Sequence, residues 1–201
     1  MPIEIRSPKI GSQTKMLTDR FDEALAYASR LHRSQVRKGS GIPYVSHLLG
    51  VASIALENGA DEDQAIAALL HDAVEDQGGS AQLEIIREKF GERVAEIVDH
   101  CTDADTNPKP PWRRRKEDYV TSLAHKPTAS VMVSLADKTH NAGAIVADLV
   151  VHGEIVWDRF TGGREGTLWY YSELAAAFEA QVPGPASSRF TRVVTEMKLR
   201  A

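Results

Sequence analysis

The chain has 201 residues, 42% of them hydrophobic and 26% charged, with a formal net charge of −4. That length suits one domain with a good-sized core, and the mild acidity excludes a globally basic nucleic-acid binder or an acidic-membrane binder. A single cysteine, Cys101, excludes an internal disulfide and a thiolate zinc site and points to a reducing compartment.

The N-terminus carries charges and no apolar run, so no signal peptide is expected. No apolar stretch approaches the roughly 18 residues needed to cross a membrane. The expectation is a cytoplasmic protein without membrane or nucleic-acid partners. Residues 1–17 mix Pro, Ser, Lys and Gly without period and read as a loose arm before a domain spanning 18–182. Thr18 is placed to cap a first helix, in which Phe21, Leu25, Ala28 and Leu31 recur every three to four residues up to about Ser34. A basic, glycine-rich loop, Arg37-Lys38-Gly39-Ser40-Gly41, follows, and Pro43 holds Ile42 extended.

Ser46 is read as opening a second helix, with His47, Val51, Ile54 and Asn58 on one face, so that His47 points inward from the first turn. Asp61 caps a third helix, Ser80 a fourth with Leu83, Ile86 and Phe90 inward, and Val94, Ile97 and Val98 mark a fifth ending near Thr102. A proline-rich loop over 103–112 leads into a sixth helix that begins Arg113-Arg114-Arg115-Lys116 and turns Tyr119, Val120 and Leu123 inward. A long seventh runs from Thr128 to about Val151, and an eighth over about 165–181 carries Leu168, Tyr171, Leu174 and Phe178. Residues 183–201 are expected to form a mobile tail or a short helix. No stretch alternates with period two, so the expected fold is all-α, a compact orthogonal array of about eight helices.

The third helix carries the unusual chemistry. Residues 65–70 read AIAALL, so the helix is buried, and a buried helix seldom carries four ionisable groups in six positions. His71 and Glu75 are i,i+4, as are Asp72 and Asp76, and Asp72 and Glu75 are i,i+3. At helical spacing they form one strip on the last turn before Gly78-Gly79. A helix C-terminus carries partial negative charge. Three carboxylates and an imidazole there need a compensating cation, and a divalent metal is the simplest one.

This HDxVED run, with PYxxH upstream (Pro43, Tyr44, His47) and LADKxxN downstream (Leu135 to Asn141), resembles the HD-domain metal-dependent phosphohydrolases. The branch it resembles is the alarmone hydrolases, meaning the hydrolase domain of RelA/SpoT-type proteins and their small stand-alone relatives. The likeness runs from about Phe21 to about Phe178 and implies the HD-domain fold over 18–182. It implies one manganese ion held by His47, His71, Asp72 and Asp137. Taken alone, two imidazoles and two carboxylates suit Mn²⁺, Fe²⁺ or Zn²⁺. The resemblance gives Glu75 and Asp76 the work of orienting and deprotonating the attacking water, or of handing a proton to the leaving group, without dividing it between them.

On the substrate side the resemblance assigns Arg37 and Lys38 to the face of the base, Asn141 to the sugar, and Tyr171 to the pocket wall. Tyr170 and Trp169 are read as packing. Arg113 to Lys116 form either a positive rim for the diphosphate or a solvated face. His32 and His140 are read as supporting or packing groups, and His100, His125 and His152 as surface or loop histidines. A guanidinium stacks on any purine, so the reader of the base edge must lie elsewhere, in backbone groups near Ser40–Tyr44 or in His140.

Together these features imply a Mn²⁺-dependent hydrolase of stringent-response alarmones, (p)ppGpp or (p)ppApp, that releases pyrophosphate from the 3′ position. Ala142-Gly143-Ala144 stands where such hydrolases carry a basic and then a polar residue, which leaves guanine against adenine open. No synthetase or regulatory domain is expected beyond the chain, and the oligomeric state is left open. The alternatives are an HD phosphohydrolase acting on a nucleoside monophosphate or dNTP, and a non-catalytic nucleotide-binding protein. The latter predicts a lost ligand or a lost Glu75 or Asp76, and the chain keeps them all.

Overall fold

The computed structural model describes residues 16–102 and 110–201; residues 1–15 of the expected arm and 103–109 of the expected proline-rich loop lie outside them. Ten α-helices occur among the described residues: α1 (Asp19–Leu31), α2 (Val45–Glu57), α3 (Glu62–Leu70), α4 (Ala73–Gln77), α5 (Gly79–Phe90), α6 (Glu92–Cys101), α7 (Trp112–Ser122), α8 (Thr128–His152), α9 (Gly163–Gln181) and α10 (Pro185–Arg200). Short 3₁₀ turns occupy Leu123–His125 and Gly153–Arg159. The β pairing among these residues is one isolated bridge, Val36 to Pro43, which closes the basic loop. The expected all-α class is what the chain adopts.

Several ends form as the sequence dictates. The Thr18 side chain accepts from Arg20 N–H, and Asp61 and Gln64 make a reciprocal capping box. Three expectations are corrected. The third helix is two helices: α3 stops at Leu70, and His71 and Asp72 form a tight bend before the five-residue α4. The reason is local, because the Ala68 carbonyl, which the Asp72 N–H would fill in an unbroken helix, takes the His71 Nδ1 proton at 2.9 Å. Next, Ser80 does not cap its helix; α5 begins two residues earlier than that cap would place it, after Gly78. Finally, the C-terminal stretch is a full helix rather than a tail or a short helix. It is the 16-residue α10, which buries Phe190, Val194 and Met197.

Two apolar clusters share α8. The first gathers Leu48, Val51, Ile66, Leu69, Ile86, Phe90 and Val98 around Val133 and Ala136 of α8. The second gathers Tyr119, Leu123, Trp157, Leu174, Phe178, Phe190 and Met197 around Val131, Leu135, Ile145 and Leu149 of the same helix. At 25 residues α8 is about 37 Å long, and its sides are apolar toward both clusters, as a buried central helix requires. The first turn of α2, the α3–α4 bend and the middle of α8 meet where the two clusters adjoin. No helix among the described residues is long and apolar enough to cross a membrane.

Candidate active site

Four donor groups converge at that junction. His47 Nε2 lies 3.2 Å from His71 Nε2, and Asp137 Oδ1 lies 3.3 Å and 3.5 Å from the two nitrogens. His47, His71 and Asp137 are all buried and present atoms close enough to share a metal ion. Asp72, which is partly exposed, brings Oδ2 within 3.0 Å of His71 Nε2 and 3.4 Å of His47 Nε2. Because His71 Nδ1 donates to a carbonyl, its Nε2 is the lone-pair nitrogen and faces the cluster. Lone pairs and carboxylate oxygens aimed at one point repel unless a cation lies between them, so the donor set fits a divalent metal. Without one, burial pushes the His71 imidazole down, but Asp72 and Asp137 outweigh it and hold it well above its usual range.

Neighbouring side chains fix each donor. Tyr44 Oη donates to Asp72 Oδ2 at 2.6 Å; burial and then Asp72 push the Tyr44 phenol up, so it stays a donor. Asp137 accepts from Lys138 Nζ on Oδ2 and from Asn141 Nδ2 on Oδ1, both at 2.6 Å. Burial raises Asp137, but Lys138 and then His71 outweigh it and hold the carboxyl well below its usual range. His47 Nδ1 meets His140 Nδ1 at 2.9 Å. Burial, then His47 and Arg37, pull His140 down to about 4, so it is neutral at physiological pH. His140 thereby orients a donor histidine, which places the supporting role read for it in the sequence.

That contact depends on a missing side chain. A Cβ at Gly50, one turn along α2 from His47, would stand 2.2 Å from His140 Cδ2. Gly50→Ala is therefore expected to push His140 off His47 and to weaken metal binding by about 10- to 100-fold while the helices persist. A metal titration with circular dichroism checks it; unchanged affinity would detach His140 from the metal centre.

Glu75 and Asp76 follow the bend on α4. Glu75 is partly buried and Asp76 is exposed. Asp76 Oδ2 accepts from Gln35 Nε2 at 2.7 Å, and Gln35 Oε1 meets Gln77 Nε2 at 2.6 Å and His32 Nδ1 at 2.7 Å. His32 stacks on Tyr44, with ring centroids 5.3 Å apart, so it supports the same corner.

A cavity of about 510 Å³ opens beside the cluster. Its wall includes Arg37, Lys38, Asn141 and Tyr171 from the sequence reading, together with Tyr44 and Lys138, which touch the clustered carboxylates. Arg37 Nη2 donates to Asn141 Oδ1 at 2.9 Å, so its head group is drawn to the asparagine that also holds Asp137. Trp112, Asp148, Arg159, Phe160 and Tyr170 also line it. The sequence singled out none of the first four, while Tyr170, expected to pack, is buried in the second cluster and faces the cavity as well. Asp148 had a signal, since it lies seven residues beyond Asn141 on one helix face; Arg159 and Phe160, around the end of a 3₁₀ turn, had none. Of the Arg113–Lys116 run, Lys116 alone is part of the wall. Arg113 stacks on Trp169 at 3.3 Å and pairs with Glu117, Arg114 pairs with Asp118, and Arg115 donates to the Pro110 carbonyl.

An all-α chain with clustered His and Asp donors at the foot of a basic and aromatic cavity has the outline of an HD domain, and the HD-domain family model matches residues 24–168. The chain belongs to the HD-domain family. Within that family it is similar to the guanosine-3′,5′-bis(diphosphate) 3′-pyrophosphohydrolase MESH1 of Homo sapiens, 38% identical over 135 residues, covering 66% of this chain and 70% of that protein. It is also similar to the bifunctional (p)ppGpp synthase/hydrolase SpoT of Escherichia coli, 34% identical over 162 residues, 78% of this chain but 21% of that longer protein. A solved structure described as a metazoan ortholog of SpoT that hydrolyzes ppGpp superposes with a TM-score of 0.73 at 26% identity, over 89% of this chain and 95% of that one.

Proposed function

We propose that this protein is a metal-dependent 3′-pyrophosphohydrolase of (p)ppGpp, working in the cytoplasm with Mn²⁺ as its metal. The observation that carries the reading is the four-donor cluster opening onto a cavity walled by cations and aromatic rings. The similarity to MESH1 and to SpoT-type hydrolases supports the substrate class. His47, His71, Asp72 and Asp137 would hold the ion. When bound it supplies Lewis acidity toward phosphate oxygen and activation of the nucleophile.

The chain's own residues do the rest. Water attacks the phosphorus attached to the ribose 3′ oxygen, the P–O3′ bond breaks, and pyrophosphate leaves with the 5′-nucleotide. Glu75 or Asp76 takes the proton that the water loses, and the released 3′ oxygen gains one. Lys138 and Lys116 face the negative phosphates, Asn141 orients the sugar, and Arg37, Lys38 and Tyr171 enclose the nucleoside. Tyr44 and Lys138 hold Asp72 and Asp137 in place.

The test is product analysis with ppGpp, ppApp, a nucleoside monophosphate and a dNTP, each with and without Mn²⁺. The expected result is pyrophosphate from ppGpp in the presence of Mn²⁺. Hydrolysis of the monophosphate or dNTP with ppGpp untouched would replace this reading by that of a general nucleotide phosphohydrolase, which the Ala142-Gly143-Ala144 departure permits.

A further inference from the structure

Along the side of α8 that meets the site, Asp137, Asn141, Ala144 and Asp148 follow one another at helical spacing, with Lys138, Ile145 and Ala147 lining the cavity beside them. By the helical rise, Asn141 lies about 6 Å and Asp148 about 16 Å along the axis from Asp137. A nucleotide with its 3′-phosphates at the donor cluster and its ribose at Asn141 lays its base along Ala144, with its edge toward Asp148. The small Ala144 leaves room for a flat ring there.

Asp148 does not stand alone at that end of the cavity. Its Oδ2 accepts from Arg159 Nη1 at 2.7 Å, and both side chains are partly exposed to the cavity. Asp148 Oδ1 accepts from no described residue, and Arg159 commits one of its five N–H donors to this pair. The position of Arg159 is set from above by the basic loop. Gly39 has φ +86, and a Cβ there would stand 2.5 Å from Arg159 Cδ, so the backbone rests directly on the arginine stem. The loop that carries Arg37 and Lys38 is thereby coupled to the end of the cavity where the base would lie.

Such a pair presents an acceptor beside donors, and the two purines answer it differently. Guanine offers O6 as an acceptor and, next to it, N1–H and N2–H as two adjacent donors for a carboxylate. Adenine offers one exocyclic donor, and its N1 is an acceptor that a carboxylate repels in the guanine pose. Building on the hydrolase reading above, we propose that Asp148 and Arg159 form the purine reader and select guanine: Asp148 accepts from N1–H and N2–H, and Arg159 donates to O6. The reader is then a side-chain pair, rather than the Ser40–Tyr44 backbone or His140.

The test uses Asp148→Asn and the double variant Asp148→Ala/Arg159→Ala, which leaves neither charge unpaired. Affinities for GDP and ADP are measured by calorimetry, beside kcat and KM for ppGpp and ppApp. Wild type is expected to favour guanine by about tenfold or more, and both variants to bring the two purines within about threefold, chiefly by raising Kd and KM for guanine with kcat little changed. A wild type without purine preference overturns the proposal. So do variants that keep the preference, and so does an equal loss for both purines, which would make the pair a mere tether between α8 and the 3₁₀ turn. If GDP and ADP binding shift as expected while ppGpp is not hydrolysed, the purine reader stands and the hydrolase reading fails.

Discussion

Asp137→Ala is expected to strip the divalent metal and to destabilise the fold by about 3 kcal/mol or more. Both effects have the same origin. Asp137 turns Oδ1 toward His47 and His71, and it is also the partner of the half-buried Lys138, whose side chain is 15% exposed. Burial pushes the Lys138 amine down, and Asp137 outweighs it and keeps the lysine charged. Removing the carboxylate leaves that largely desolvated cation without its ion-pair partner, which costs more than the pair itself contributes. Pairing Asp137→Ala with Lys138→Met separates the two roles: the double variant should recover most of the lost stability and still bind no metal. Elemental analysis after Mn²⁺ loading, with urea melts, reads both quantities. Full metal occupancy in Asp137→Ala would remove this residue from the ligand set.

Glu75→Gln is expected to keep metal and nucleotide binding and to lower kcat by about a hundredfold or more, the usual cost of losing a positioned acid or base. The amide keeps the shape of the carboxylate but cannot take a proton. Asp76→Asn is the companion variant. Its carboxylate is held by Gln35, which Gln77 and His32 brace in turn, so Asp76 is oriented from outside the metal cluster. If Glu75 is the proton acceptor and Asp76 its support, Asp76→Asn lowers kcat less than Glu75→Gln. The reverse order exchanges the roles, and wild-type turnover in both variants would reduce the pair to surface charges.

The α3–α4 corner marks how far pattern alone reaches. Helical spacing groups His71, Asp72, Glu75 and Asp76 on one strip, and the residue types alone call for a cation beside them. Spacing assumes an unbroken helix, however, and His71 breaks it by taking the Ala68 carbonyl. That side-chain bond both ends α3 and aims Nε2 at the cluster, so the bend belongs to the chemistry of the site. The α10 helix is a second case. Residues 183–201 open on Pro-Gly-Pro and are short for an isolated helix, and their helix gains its stability from docking Phe190, Val194 and Met197 into the second cluster, which local propensity does not register.

The sequence by itself determined the all-α class, the caps at Thr18 and Asp61, and the identity of the candidate donors. Each of these rests on residue type and on separations within one helix, where geometry follows from 3.6 residues per turn. The tertiary structure decided what those donors meet. His140 reaches His47 across 93 positions because Gly50 leaves room for its ring, and Arg37 reaches Asn141 across 104. Arg159 enters the cavity wall from a 3₁₀ turn that no periodicity marks. Contacts of that kind depend on how α2, α8 and the loops pack against one another, and packing is a property of the assembled core rather than of any one stretch of chain.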